Sequence, residues 1–558
     1  MTETKELYAR VWKEYEKCLD FNNRINLLES VKTNENFFIG KQWEGVESNG
    51  LPTPIFNFLK QITLHQVATI TSDNLTMRCT PLKAAANDDG LKRLTDIVND
   101  EFVSIFEHNK IVTKLREMMR NAAVNGDGCT YSYWDSDLDS IKTEVLENTR
   151  VFFGNPNDRQ VQTQPYILIA RRRFIDEIKD YAAENGCAGA KDAIKADVDE
   201  NNSLMDSYVD DKCTVILKLW RDKKTKSIHA VEVVKGAVIR KEWDLGINLY
   251  PITWLNWDYV QDCYHGQALI TGLIPNQQAT NKAYAMSILS MMLTAFPKYI
   301  YDKTRIQKWS NQVGTACGVN GSTEGAASIL SPAQISPQVS QLIQSIIENT
   351  QSFTGATSAA LGNTRPDNTS AIIALQRAAS IPSEITKQNL YQCIEDLGRI
   401  YIQFMGEYYG TREVDAQASD LMEGGADILQ FAGMAPDVKI QIPFDFSQLK
   451  NVPLSLKLDV GASSYWSEIA SMQTLDNLLQ MHMIDIVDYL ERIPDGYISD
   501  RQGLLAKYKA MQGAAMQPAP SAAHGDSGAS PDELPVMGGS GNGQLQRAVA
   551  QGGKVSLV

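Results

Sequence analysis

Gln338-Val339-Ser340-Gln341-Leu342-Ile343-Gln344-Ser345-Ile346-Ile347-Glu348 is the stretch on which the fold turns. Its apolar residues Val339, Leu342, Ile343, Ile346 and Ile347 recur at helical spacing, so they share one side of a helix predicted over 337–353. The opposite side carries Gln338, Gln341, Gln344, Ser345 and Glu348, polar groups with hardly any charge. From Trp309 to Thr364 only Glu324 and Glu348 are charged, and no lysine or arginine appears before Arg365. A polar face without cations gives phosphates nothing to pair with.

Upstream, 266–296 reads as a second, mostly helical segment, with Pro275 as a kink or a first turn. Asn276, Gln277, Gln278 and Asn281 lie near its start, and methionine and leucine packing residues follow. Between the two helices, 297–335 reads as a loop-rich β unit. Each helix with an apolar seam and a neutral polar face suits packing between copies in a ring. Taken alone, the pattern fits an ordinary helical hairpin inside one domain better.

The 558 residues are 43% hydrophobic and 22% charged, enough for two to four packed units of a mixed α+β protein. Helical spacing predicts helices over 1–48, 57–73, 91–124 and 176–184, with a stop at Asn125-Gly126-Asp127-Gly128. Strands are predicted over 129–134, 141–146, 149–153, 166–171, 215–220, 229–234, 237–243, 438–444 and 454–460. A long helix over 369–409 should kink at Pro382, helices should fall between 465 and 511, and the Ala/Gly/Ser/Gln/Pro-rich tail beyond 512 should be disordered.

The polar, acidic opening is no secretory signal, and the longest apolar run, 283–296, is too short to span a bilayer. Eight scattered cysteines without C-x-x-C suggest reduced thiols. A net charge of −14 argues against gripping nucleic acid by phosphate neutralisation, though not against letting it slide past.

Candidate chemistry is thin. Asp135, Asp137 and Asp139 suggest a metal loop, and with it a metal-dependent nuclease. A calcium loop, however, needs Gly and Glu where Ser140 and Leu146 stand. A solvated acidic hairpin turn is the simpler reading. Six dispersed histidines, no P-loop and no nucleophile elbow leave no catalytic, cofactor or metal residues to name. Arg171-Arg172-Arg173 suits ion pairs at a strand end better than phosphate contact.

Several strings, in order, resemble the portal proteins of tailed bacteriophages. Phe37-Phe38-Ile39-Gly40-Lys41-Gln42-Trp43 with Leu51-Pro52-Thr53-Pro54-Ile55-Phe56-Asn57 is similar to the family's opening. Gly154-Asn155-Pro156-Asn157-Asp158 with Val161-Gln162 and Gln164-Pro165-Tyr166-Ile167 resembles its wing string. Pro251-Ile252, Tyr264-His265-Gly266, Gln277-Gln278 and Asn281-Lys282 resemble the approach to the first stem helix. Gly355 to Asn368 with Ser370-Ala371-Ile372 is similar to the tunnel loop, and Asp459-Val460-Gly461 to Trp466 with Tyr489-Leu490 to the crown approach.

The resemblance covers roughly 30–500, excluding the 185–211 insert and the tail. It implies the portal fold: a wing (1–255), a first stem helix (256–296), a clip (297–335) and a second stem helix (336–354). A tunnel loop (355–370), a wing helix with return strands (371–460), a helical crown (461–512) and the tail (513–558) complete it.

The implied function is non-enzymatic: a dodecameric ring at the capsid vertex through which double-stranded DNA is packaged and ejected. Its implied partners are other copies of itself, the DNA, the terminase large subunit, a head–tail adaptor, and the major capsid or scaffolding protein, with no membrane and no cofactor. Its implied location is the virion, with assembly in the bacterial cytoplasm. Candidates for DNA proximity are Gln338, Gln341, Gln344, Ser345 and Glu348, with Asn363, Thr364, Arg365 and Asn368 on the tunnel loop. Candidates for motor or adaptor docking are Lys303, Arg305, Lys308, Trp309 and Glu324. A different ring-forming head–tail adaptor is the alternative.

Overall fold

The computed structural model describes residues 2–72, 75–81, 89–201, 211–295, 298–310, 312–330, 338–356, 381–417, 439–452, 454–460, 465–481 and 483–493, with isolated positions at 378 and between 501 and 508. Mixed helix and strand is what it shows, as expected. Residues 1–469 form one compact unit and residues from Ala470 a second.

In the first unit, helices α1 (Thr2–Arg24), α2 (Leu27–Ile39) and α3 (Phe58–Ile70) lead to strand β1 (Leu75–Pro81), then α4 (Asp89–His108) and α5 (Ile111–Asn125). Val11, Tyr15 and Leu19, each one turn apart, bury one stripe of α1. Each such side chain contributes about 1.5–3 kcal/mol by leaving water.

The predicted continuous helix over 91–124 is in fact broken. Lys110 adopts a left-handed conformation (φ 51°) although neither glycine nor proline marks the place. The side chain of Asn109 accounts for the break: its amide donates to the Ile105 and Ile141 carbonyls, and its oxygen accepts from Thr143 N at 3.1 Å. A contact to a strand 32 residues on outweighs local propensity.

Two sheets follow. Strands β2 (Asp127–Asp135), β3 (Ser140–Leu146) and β9 (Ile252–Asn256) make an antiparallel sheet in the order β3-β2-β9. A second antiparallel sheet runs β4 (Val151–Phe153), β5 (Tyr166–Phe174), β6 (Lys212–Arg221), β7 (Ile228–Val234) and β8 (Ala237–Asp244). Its alternating residues bury both faces, one against α1 (Val11, Tyr15, Leu19), the other in the main core. Helix α6 (Ile175–Glu184) closes a small satellite cluster with Cys213, Val215, Val234 and Ile239.

Helix α7 (Leu269–Ala295) keeps Pro275 inside it. Strands β10 (Lys298–Tyr301) and β11 (Ala327–Leu330) pair antiparallel, and α8 (Gln338–Phe353) returns along α7, where Asn276 Nδ2 donates to Thr350 Oγ1 at 3.0 Å. Pro382 lies in a 3-10 turn (Ile381–Ser383) ahead of α9 (Glu384–Tyr408), not at a kink within a helix. The expected helical residues 369–377 lie outside the described set. Buried Leu390, Ile394, Leu397, Tyr401 and Phe404 put α9 into the main core.

Sequence reading missed β1, β9 and β12 (Thr411–Gln417). β1 pairs with β14 (Leu454–Val460) and β12 with β13 (Lys439–Asp445). In the second unit, Tyr489 Oη donates to Asp476 Oδ1 at 2.5 Å and Leu490 is buried. The predicted disordered tail lies outside the described residues.

Candidate channel and docking surfaces

The two helices around the β10–β11 hairpin differ along their length. The first half of α7 is clamped to the body by amides. Gln277 Nε2 donates to the Phe56 carbonyl at 2.7 Å and to Asn281 Oδ1 at 2.9 Å, and Asn281 Nδ2 donates to Gln42 Oε1 at 2.6 Å. Gln42 Nε2 in turn donates to the Phe37 carbonyl at 3.1 Å, and Asn57 Nδ2 donates to the Phe37 and Phe38 carbonyls. Asn34 Nδ2 reaches Thr271 Oγ1 at 2.9 Å.

Gln277 and Asn281 are therefore buried, which corrects their expected place on a solvent-facing neutral face; only Gln278 of the four is exposed. Amides suit this position because each supplies both a donor and an acceptor, so backbone groups inside a folded corner are satisfied without burying charge.

A second node holds the root of α7. Asp127, fully buried where α5 gives way to β2, accepts from Asn256 Nδ2 and Gly266 N on Oδ1, each at 2.7 Å. Its Oδ2 accepts from His265 Nδ1 at 2.7 Å and Asn148 Nδ2 at 3.1 Å. Gly126 and Gly266 meet here, and a Cβ on Gly266 would lie 2.7 Å from the Asp258 carbonyl oxygen. The Asp127–His265 pair has the geometry of a base and its orienting acid, but the imidazole is only 3% exposed and no substrate can reach it. It acts as a brace.

The string from Gly154 to Ile167 is explained in the same way. Gln164 Oε1 accepts from Asn155 N at 2.9 Å, Gln162 Nε2 donates to the Tyr250 carbonyl at 3.1 Å, and Tyr264 N donates to the Pro156 carbonyl at 3.0 Å.

Along α8, Gln338, Gln341, Gln344, Ser345 and Glu348 are all exposed, while Ile343 is buried and Ile347 packs on the cluster of Ile274 and Ala356. Gln344 Nε2 donates to Glu348 Oε1 at 2.8 Å and Asn349 Nδ2 to Ser345 Oγ at 3.2 Å, so the polar face satisfies part of its own bonding. The apolar stripe is incompletely covered, with Leu342 57% exposed. Asn363, Thr364, Arg365 and Asn368 lie outside the described residues.

Among the docking candidates, Arg305 is tied down: its Nη1 donates to the Glu324 carbonyl at 3.1 Å and its Nε lies 3.2 Å from Asp302 Oδ2. The carboxylate of Asp302 is held below its usual value by hydrogen bonds from the hydroxyl and N–H of Thr304. Lys303 and Lys308 are exposed, and Lys308 immediately precedes Trp309, whose ring packs on Tyr299 and Tyr301 at 5.1 and 5.2 Å. Sequence reading missed these two tyrosines, although their alternation in a short strand beside a tryptophan was a usable signal.

The acidic turn is structural. Asp135 Oδ2 pairs with Lys142 Nζ at 2.7 Å, which holds its carboxyl below the ordinary range, and Asp139 accepts from Arg412 Nη2 at 2.8 Å. Asp137 N donates to Asp135 Oδ1 at 3.0 Å, the local bond of an Asx turn. Among the described residues no three His, Cys, Asp or Glu side chains converge as metal ligands. Arg171 pairs with Glu144 and Arg172 with Asp197, the ion-pair reading of that run. No helix among the described residues is long and apolar enough to cross a membrane.

No curated protein matches the chain. A family model for phage P22-like portal proteins matches residues 12–414 and so takes in the second half of α1, both sheets, the amide-clamped root of α7, the hairpin, α8 and α9. With that match spanning most of its length, the chain belongs to the phage P22-like portal protein family, structural proteins of the bacteriophage virion.

Proposed function

We propose that the chain is the repeating subunit of a dodecameric ring at the capsid vertex, through which double-stranded DNA is packaged and later ejected. In this reading α7 and α8 form the stem, residues 297–335 the clip and 355–370 a loop facing the channel. The observation that carries it is the exposed face of α8: neutral amides, a serine and Glu348, in a stretch without a single cation. Phosphates passing such a wall release no counterions and find no partner, so the duplex is guided and not held.

Arg365, on the loop, makes a transient phosphate contact or pairs with Asp367 or a neighbouring copy. The clip docks the terminase large subunit during packaging and a head–tail adaptor afterwards, with Lys303, Lys308 and Trp309 as the contact. The wing meets the major capsid or scaffolding protein.

Negative-stain images of the purified protein down the symmetry axis should show closed rings with a central hole, and DNA should remain intact in Mg²⁺ or Mn²⁺. A monodisperse monomer that cleaves DNA, with cleavage lost in Asp137→Ala, would refute the proposal. Arg365→Ala should leave rings intact and alter DNA packaging or retention. Collapse of the rings would place that loop elsewhere.

A further inference from the structure

The strings Gly154 to Ile167 and Tyr264-His265-Gly266 meet against α1 and leave a cavity of about 380 Å³ there. That is the small end of the range of ligand sites, about 300–1,000 Å³. Its floor is aromatic. Tyr264 stacks with Phe153 at 4.6 Å between ring centroids and with Phe21 at 6.0 Å. Gly154 keeps the wall tight, because a Cβ there would lie 2.9 Å from the Tyr166 carbonyl oxygen.

The polar groups on the floor are already spent on backbone. Tyr264 Oη donates to the Val151 carbonyl at 3.3 Å, and Cys18 Sγ donates to the Phe153 carbonyl at 3.9 Å. Burial pushes the Cys18 thiol up to about 12, so at neutral pH it is an uncharged wall and not a nucleophile. Charge enters only at the mouth, where α1 presents exposed Lys17, Asp20 and Arg24. Among the described residues neither Lys17 nor Arg24 forms an ion pair. Arg24 Nε donates to the Asp20 backbone carbonyl at 3.4 Å, and its guanidinium stands 6.0 Å from the centre of the Phe21 ring.

Positions three, four and seven apart share a side of a helix, so Lys17, Asp20, Phe21 and Arg24 form one row. Seven residues separate the two cations by about 10.5 Å along the axis. A single small acid cannot reach both. An extended peptide rises about 3.3 Å per residue and covers the span in about three residues, with room for one residue between two acids. Asp20 repels a third acid from the middle of the row, where Phe21 and the ring-lined cavity lie.

We propose that this cavity receives an aromatic side chain of a partner protein, carried on an extended segment whose flanking acidic residues pair with Lys17 and Arg24. Every lining residue comes from one copy of the chain, so the assignment does not depend on the ring reading.

The test is fluorescence polarisation of a labelled peptide, tryptophan between two pairs of glutamates, titrated with the full chain at low salt. Lys17→Glu combined with Arg24→Glu, both on exposed sites and checked for folding by circular dichroism, should weaken binding about tenfold or more through two lost exposed ion pairs. Alanine in place of the tryptophan should weaken it at least as much, and added salt should weaken it progressively. Equal binding by wild type and the double variant, equal binding of the alanine peptide, or no binding at millimolar peptide overturns the proposal. Indole-3-acetate that competes as tightly as the peptide would assign the cavity to a small acid and overturn the partner. Rings lost in the double variant by analytical ultracentrifugation would mean that a neighbouring copy fills the cavity, which also overturns it.

Discussion

Replacing Asp127 tests the buried node that holds the root of α7. The carboxyl takes four hydrogen bonds, from Asn256, Gly266, His265 and Asn148, and has no exposure to water that could replace them. Asp127→Asn keeps the shape but must turn an amino group toward one pair of donors, stranding two of the four. A stranded buried donor costs about 1–3 kcal/mol, so the loss should be about 2–4 kcal/mol after partial relaxation. Asp127→Ala strands all four and should cost more, about 4–6 kcal/mol, because Asn148 and Asn256 can turn to other partners only in part.

Urea unfolding followed by tryptophan fluorescence reads the change, since Trp254 donates to the Tyr264 carbonyl beside the node. Asp137→Asn, on the exposed turn, is the control and should stay within about 0.5 kcal/mol. A loss under about 1 kcal/mol for Asp127→Ala at unchanged m-value would show that the four bonds do not brace this joint. Faster amide exchange confined to Gly266 and the first turn of α7 should accompany the loss.

Gly266→Ala would push a methyl group against the Asp258 carbonyl oxygen, 2.7 Å from its Cβ, and against Asn256; Asn256 ends β9 and Asp258 is held in a bridge to Gln267. Overpacking of this kind costs about 1–3 kcal/mol, and thermal unfolding should show it as a lowered midpoint. Burial holds the His65 imidazole below its ordinary value of 6.5, so the unfolded chain protonates first as pH falls. Stability should therefore fall from near that value down to the folded value, and His65→Gln should flatten the dependence in urea titrations between about pH 7 and 5. Lys303→Glu combined with Lys308→Glu should leave ring assembly intact and weaken terminase binding with a reduced salt dependence. Unchanged binding in a pull-down at low salt would move the docking surface off these lysines.

Much of this protein was legible residue by residue. The periods of 3.6 and 2 located α1, α3, α5, α8 and most of the two larger sheets, because a helix or strand with one buried side must repeat its apolar residues at its own pitch. The absence of cations around Gln338–Glu348 was equally plain, since charge is a property of composition. Contacts across long separations were hidden. The break at Lys110 depends on Asn109 reaching Ile141 and Thr143.

The same limit explains the missed strands β1 and β12, whose partners β14 and β13 come far later or after a long gap. It explains why Gln277 and Asn281 looked solvent-facing when they close a buried amide network with Gln42, 239 residues away from Asn281. A side chain's polarity is written in the sequence, whereas whether it meets water or a distant carbonyl is decided by chain folding. The root of α7 thus belongs to the tertiary structure, while the neutral face of α8 could be read from the chain alone.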